Sequence, residues 1–225
     1  MLNKLKNYIK KFLFALWLWR NGLNLGRLEN IARKYIDSLN LQGKGTNQQF
    51  FIGLIGSYGT GKTTIAKRLT EKLPLVMVSS DEIRRLLEYN NIPHQIIENQ
   101  KLLFFVGLKF INELIKKRIN IILDADLRET QYREALQKIF NAAGYKIILL
   151  HITAPEKLVL GRIKTRREKE RSQYLKINLE RHYQERQKIH SRYPLPQNIF
   201  YTFTNNDNLD SQINEMIQKF KQLGL

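Results

Sequence analysis

Five short apolar runs mark the chain after residue 49: FFIGLI (50–55), LVMVS (75–79), INIILD (119–124), YKIILLHI (145–152) and NIFYTFT (198–204). Each is rich in Ile, Val, Leu and aromatic residues, with little of the polar alternation of a half-exposed strand. Continuous runs of this length suit strands buried on both faces, as in a parallel sheet covered by helices. Stretches of helical spacing lie between and after them, at 62–73, 81–90, 94–118, 128–143, 155–191 and 207–222. Repeated strand–helix units predict an α/β fold, a three-layer sandwich around a mainly parallel five-stranded sheet. Ligands of such sheets bind beyond the carboxyl ends of the strands.

Before the first strand the pattern is different. Leu25, Leu28, Ala32, Tyr35, Ile36 and Leu39 share one helical face, and LQGKGTNQQ then breaks the periodicity as a linker. This divides the chain into an N-terminal basic helical extension with its linker, 1–48, and an α/β domain, 49–225. At the very start Lys4, Lys6, Lys10 and Lys11 precede an eight-residue apolar run from Phe12 to Trp19, with Arg20 after it. That run is far shorter than the roughly 20 residues that span a bilayer. Residues 1–22 therefore predict either a peripheral membrane contact through an interfacial helix or a docking contact within the protein or with a second subunit, with docking preferred.

Charge adds a partner class. With 38 Lys and Arg against 20 Asp and Glu, the net charge is +18, which attracts polyanions such as nucleic acid, anionic lipid or nucleotide. The absence of cysteine excludes disulfides and thiolate metal sites and fits a cytoplasmic protein, membrane-associated if residues 1–22 bind lipid. The four histidines, His94, His151, His182 and His190, form no metal-binding pair and read as surface or packing residues.

The chemistry starts at GSYGTGKT, directly after the first strand. It fits G-x-x-x-x-G-K-[ST], with Gly56, Gly61, Lys62 and Thr63 in the defining places and Ser57, Tyr58, Gly59 and Thr60 between them. Glycines let successive N–H groups point at phosphate oxygens, and the following helix, with Thr64 in its first turn, adds its positive end. Lys62 is expected to reach the β- and γ-phosphates of ATP, and Thr63 to give an oxygen to Mg²⁺. The expected fold is thus a P-loop NTPase sandwich. At the second strand's end Asp81 precedes Arg84 by one helical turn, placed to accept a proton from an acceptor hydroxyl and to hold the acceptor; the plain alternative is a helix cap and a solvated arginine. Asp124 ends the third strand in LDAD, placed to hold Mg²⁺ through water, with Asp126, Arg128 and Arg133 beyond it. LGRIKTRREKERSQY carries Arg162, Lys164, Arg166, Arg167, Lys169 and Arg171, of which some are candidates to close over ATP.

Together these motifs resemble the P-loop kinases that include polynucleotide 5′-kinases and zeta-toxin-like kinases, over roughly residue 50 to the C-terminus. The resemblance implies ATP and Mg²⁺ binding by Lys62 and Thr63, and it matches Asp81 and Arg84 to a D-x-x-R motif of general base and acceptor contact. It matches Asp124 to the family's LDAT strand end, with Asp126 in place of the threonine. It also implies a lid arginine, for which Arg162 and Arg166 both fit. The reading is an ATP- and Mg-dependent kinase acting on a hydroxyl, with a nucleic-acid 5′-hydroxyl as one acceptor class. The alternatives are a small-metabolite kinase with the same residues, or a P-loop ATPase or nucleotide-dependent switch.

Overall fold

The computed structural model describes residues 17–18, 20–97, 99–169, 184, 187–188, 190–206 and 208–225. In chain order its main elements are α1 (Leu25–Ser38), β1 (Phe50–Ile55), α2 (Lys62–Lys72), β2 (Val76–Ser79), α3 (Ser80–Tyr89) and α4 (His94–Ile97). There follow α5 (Gln100–Lys116), β3 (Ile121–Asp124), α6 (Thr130–Ala142), β4 (Lys146–Thr153), α7 (Glu156–Lys169), β5 (Ile199–Thr204) and α8 (Leu209–Gln222). The chain divides into two compact units, one of Met1–Asn40 with Ser80–Lys117 and the other of Leu41–Ser79 with Arg118–Leu225.

The second unit holds the whole sheet. Its five strands are all parallel, in the order β2-β3-β1-β4-β5, which makes β1 the central strand. All six residues of β1 are buried, as the unbroken apolar run requires. Phe50, Ile52 and Leu54 join Ile65, Ala66 and Leu69 of α2 and Ile213, Met216 and Phe220 of α8 in one core cluster. From the alternate positions of β1, Phe51 stacks on Phe140 of α6 with ring centroids 3.8 Å apart. Period-two alternation on a strand therefore supplies both faces, giving the expected helix–sheet–helix sandwich.

One buried amide fastens the strand starts. Asn120 Oδ1 accepts from the Phe50 N–H at 2.9 Å, and its Nδ2 donates to the Pro74 carbonyl and the Thr46 hydroxyl, both at 3.1 Å. Its own backbone N–H donates to the Lys44 carbonyl at 3.0 Å. The approaches to β1, β2 and β3 thus meet on a single fully buried side chain.

The first unit is helical. The α1 helix packs on α5, with Leu28, Ile31, Ala32 and Ile36 buried and the Tyr35 and Phe110 rings 5.1 Å apart. Leu25, expected on the buried face, is exposed, and Ile31 takes its place in the core. The Tyr35 hydroxyl donates to the Glu82 carboxylate of α3; burial first, then that carboxylate, raises the phenol's pKa. Ion pairs join Lys109 to Glu29 and, at 3.6 Å, Lys117 to Asp37. The single helix expected over 94–118 is two, because the Asn99 side chain accepts from the Leu102 N–H at 3.3 Å and caps a new start.

At the N-terminus Leu18 is fully buried, and the Trp17 carbonyl accepts from Asn21 Nδ2 at 2.7 Å. Residues 1–16 and Trp19, most of the expected interfacial run, lie outside the described residues. Among the described residues no helix is long and apolar enough to cross a membrane.

Candidate active site

The loop between β1 and α2 turns on two glycines in the left-handed region, Gly59 at φ 81° and Gly61 at φ 98°. A Cβ on Gly56 would stand 2.3 Å from the Ile152 carbonyl of β4, and one on Gly61 would stand 1.8 Å from Asn205 Nδ2. Glycine is thus required at Gly56 by a close backbone approach and at Gly61 by both approach and φ. The Thr60 hydroxyl ties the loop to itself by donating to the Ser57 carbonyl at 2.8 Å. The Lys62 ammonium donates to the Gly56 and Ser57 carbonyls at 2.9 and 3.0 Å, which holds the cation over the loop. Tyr58 packs on Val159 and Ile163 of α7, while Thr64 is exposed on the first turn of α2.

The end of β3 meets the start of α2. The Thr63 hydroxyl donates to Asp124 Oδ2 at 2.8 Å, and the Ser79 hydroxyl lies 3.4 Å from the same oxygen. Asp124 is itself buried. Hydroxyl and carboxylate oxygens side by side are the hard donors that Mg²⁺ takes. Among the described residues no cluster of three or more His, Asp or Glu could form a metal cage. Mg²⁺ does not call for one, since it keeps several waters and shares its shell with phosphate oxygens. The residues present fit the ion.

Asp126, the departure from the threonine of the family pattern, is a brace. Its Oδ1 accepts from the Gly56 N–H at 3.3 Å and the Arg128 N–H at 3.1 Å, and its Oδ2 pairs with His190 Nε2 at 2.7 Å. Burial works to raise the pKa of this carboxyl. The hydrogen bond with His190, the charges of Lys62 and His190 and the Gly56 N–H outweigh it, leaving the pKa lowered. Arg128 donates from Nε to the Tyr193 carbonyl at 2.5 Å and from Nη2 to the His190 carbonyl at 3.2 Å. Buried Arg133 donates to the Leu127 and Arg128 carbonyls at 2.9 and 2.8 Å. Both arginines after Asp126 are therefore committed to backbone.

Arg162, on α7, reaches the loop, donating to the Gly59 carbonyl at 3.3 Å and to Asn205 Oδ1 at 3.2 Å. The side chain of Arg166 and the arginine-rich run from residue 170 onward lie outside the described residues. Asp81 and Arg84 stand on the first turns of α3, in the helical unit, with Arg84 Nη1 donating to Asp81 Oδ1 at 2.8 Å. Of the candidate residues, Lys62, Thr63, Asp124 and Arg162 share the sheet unit, whereas Asp81 and Arg84 belong to the other. Two residues went unnoticed in the sequence. Asn205 carries no motif. His190 reads there as a surface or packing residue, and only the unusual Asp126 hinted that a partner was needed.

The AAA domain family model matches residues 51–189. Among curated proteins none matches the sequence. Solved structures with the same fold include APS kinase of Mycobacterium tuberculosis in complex with AMPPNP and APS, 17% identical over 77% of this chain and 98% of that one, with a TM-score of 0.53. Kti12 of Chaetomium thermophilum in complex with ADP-AlF3 is 16% identical over 78% of this chain and 99% of its own, with a TM-score of 0.55. Shikimate kinase of Acinetobacter baumannii in complex with shikimate is 24% identical over 78% and 92%, with a TM-score of 0.50. At these identities the likeness is one of fold.

Proposed function

The chain belongs to the AAA domain family, and from that premise we propose that it is an ATP- and Mg²⁺-dependent kinase that transfers the γ-phosphoryl group to a hydroxyl. The observation that carries this reading is the 2.8 Å contact of Thr63 with Asp124, which sets the hydroxyl of the phosphate-loop motif against the carboxylate ending β3. These two oxygens would hold Mg²⁺, which when bound neutralises charge on the β- and γ-phosphates. Lys62 already stands over the loop on two carbonyl contacts, and would exchange them for charged phosphate oxygens, which bind an ammonium more strongly. Arg162 supplies a second cation at the loop rim.

Asp81 is the proposed general base and Arg84 the acceptor contact, on the strength of the D-x-x-R resemblance; Asp81 follows the last residue of β2 by two positions. The ion pair with Arg84 would fix the orientation of the Asp81 carboxylate toward an acceptor. The net charge of +18 supports a polyanionic acceptor such as a nucleic-acid 5′-hydroxyl. The fold shared with APS kinase and shikimate kinase supports the second reading, a small-metabolite acceptor. The test is transfer from γ-labelled ATP to a panel of 5′-hydroxyl DNA, RNA, nucleosides and small alcohols, with and without Mg²⁺. Labelled product that disappears in Asp81→Asn, by about 10²–10⁴-fold with ATP affinity retained, is expected. Phosphate released only to water, with every acceptor unlabelled, would overturn the kinase reading in favour of an ATPase or switch.

A further inference from the structure

Asn205 stands immediately after β5 and is 4% exposed. Its backbone N–H donates to the Thr153 carbonyl at 2.8 Å, so the sheet fixes its position. The carboxamide then faces two partners of opposite kind. Nδ2 donates to the Thr60 carbonyl of the phosphate loop at 2.9 Å, and Oδ1 accepts from Arg162 Nη2 at 3.2 Å. Arg162 Nη1 closes the circuit by donating to the Gly59 carbonyl at 3.3 Å. The direction of the amide is unambiguous chemically, because a carbonyl only accepts and a guanidinium only donates. Asn205 also explains Gly61, whose missing Cβ is the space Nδ2 occupies.

We infer that Asn205 is a positioning residue for the proposed phosphoryl transfer, holding the Arg162 guanidinium in register with the rim of the phosphate loop. The inference rests on the reading that this loop binds ATP. A long arginine on a helix surface has many rotamers to lose before it can serve a phosphate. An acceptor fixed by the sheet removes most of that freedom in advance, and the same amide holds the loop against which the arginine must act. The longer Gly59 contact is the one that a phosphate oxygen would replace, since a charged acceptor binds a guanidinium more strongly than a carbonyl does.

The test is a double-mutant cycle of Asn205→Ala and Arg162→Ala, reading turnover of labelled ATP alongside Mg·ATP affinity by titration calorimetry. Each single variant is expected to lower turnover about tenfold, the scale of one hydrogen bond to a charged group. The double variant should be no slower than Arg162→Ala alone. Independent losses that multiply to about a hundredfold would overturn the coupling. A second measurement does not need Asn205 variants to fold: backbone amide exchange at Thr60 and Gly61 should quicken in Arg162→Ala. Unchanged exchange there would also overturn the inference. A wild-type chain that fails to bind Mg·ATP would instead sink the kinase reading, whereas wild-type binding with multiplicative variants would sink only the coupling.

Discussion

Two buried asparagines sit at opposite ends of the same sheet, and they do different work. Asn120, at the strand starts, joins Phe50, Pro74 and Thr46, all fixed parts of the scaffold. Asn205, at the strand ends, joins a glycine loop to an arginine side chain on α7. Both satisfy buried backbone groups, so both stabilise, but only the second has partners that an incoming phosphate would move. On the proposed reading, the same side chain is scaffold at one end and site at the other. What differs is whether its partners have an alternative acceptor or donor to turn to.

Four measurements sharpen this contrast. At the loop end, Lys62→Ala is expected to lower phosphoryl transfer by at least about 10³-fold, or about 4 kcal/mol of barrier, with an unchanged thermal midpoint. Near-normal transfer in that variant would erase the distinction between the two ends. At the opposite end, Asn120→Ala should reverse the pattern, losing about 3 kcal/mol of stability in urea titrations because buried N–H and carbonyl groups are left unpaired. ATP affinity per folded molecule should stay at the wild-type value; a fall would give Asn120 a share in the site.

Asp126→Asn tests a residue that belongs to both categories, since its carboxylate braces Gly56 and His190. It should cost about 1.5–3 kcal/mol at neutral pH, the scale of hydrogen bonds to a charged group. The carboxyl's folded pKa is lowered, so its stabilisation is present above the unfolded value and is lost as pH falls through the depressed folded value. The gap between wild type and variant should therefore close in acid below about pH 4, in Mg-free buffer. A gap that persisted at low pH would assign the loss to packing and not to charge. Smallest of all, Lys117→Ala removes a surface pair with Asp37 in the helical unit and should change stability by less than about 1 kcal/mol.

The parts of the molecule legible in the sequence are those written locally. All five strands were marked by apolar runs; β1 and β3 are buried along their length, as strands covered on both faces should be. By contrast β5, at the sheet edge, alternates exposed residues with more buried ones, which the expectation of two covered faces missed. The phosphate loop fits in eight consecutive residues, and Asp124 announces itself by ending a strand. Helix ends were harder: Asn99 splits α4 from α5 by a side-chain cap that resembles any other polar residue in the pattern. The buried face of α1 was misjudged by about one turn at its start, since α5, which decides it, lies far along the chain. The bracing residues were invisible for the same reason. Asn205 meets Thr60 across 145 positions and His190 meets Asp126 across 64, and no spacing rule operates at such separations. Arg133 shows the limit in another form, a charged side chain buried because backbone carbonyls receive its N–H groups.

The central place of β1 has one practical consequence. Paired on both edges and buried along its length, it is the strand whose release requires the sheet to come apart, and the phosphate loop is its direct continuation. The loop runs from β1 straight into α2, both within the sheet unit, so a nucleotide held there would stabilise that unit against unfolding. At a hundredfold excess over its dissociation constant a ligand adds about 2.7 kcal/mol to folding. A dye-based thermal scan across ATP, GTP and their diphosphates therefore ranks nucleotides before any acceptor is known. The sheet itself becomes the thermometer.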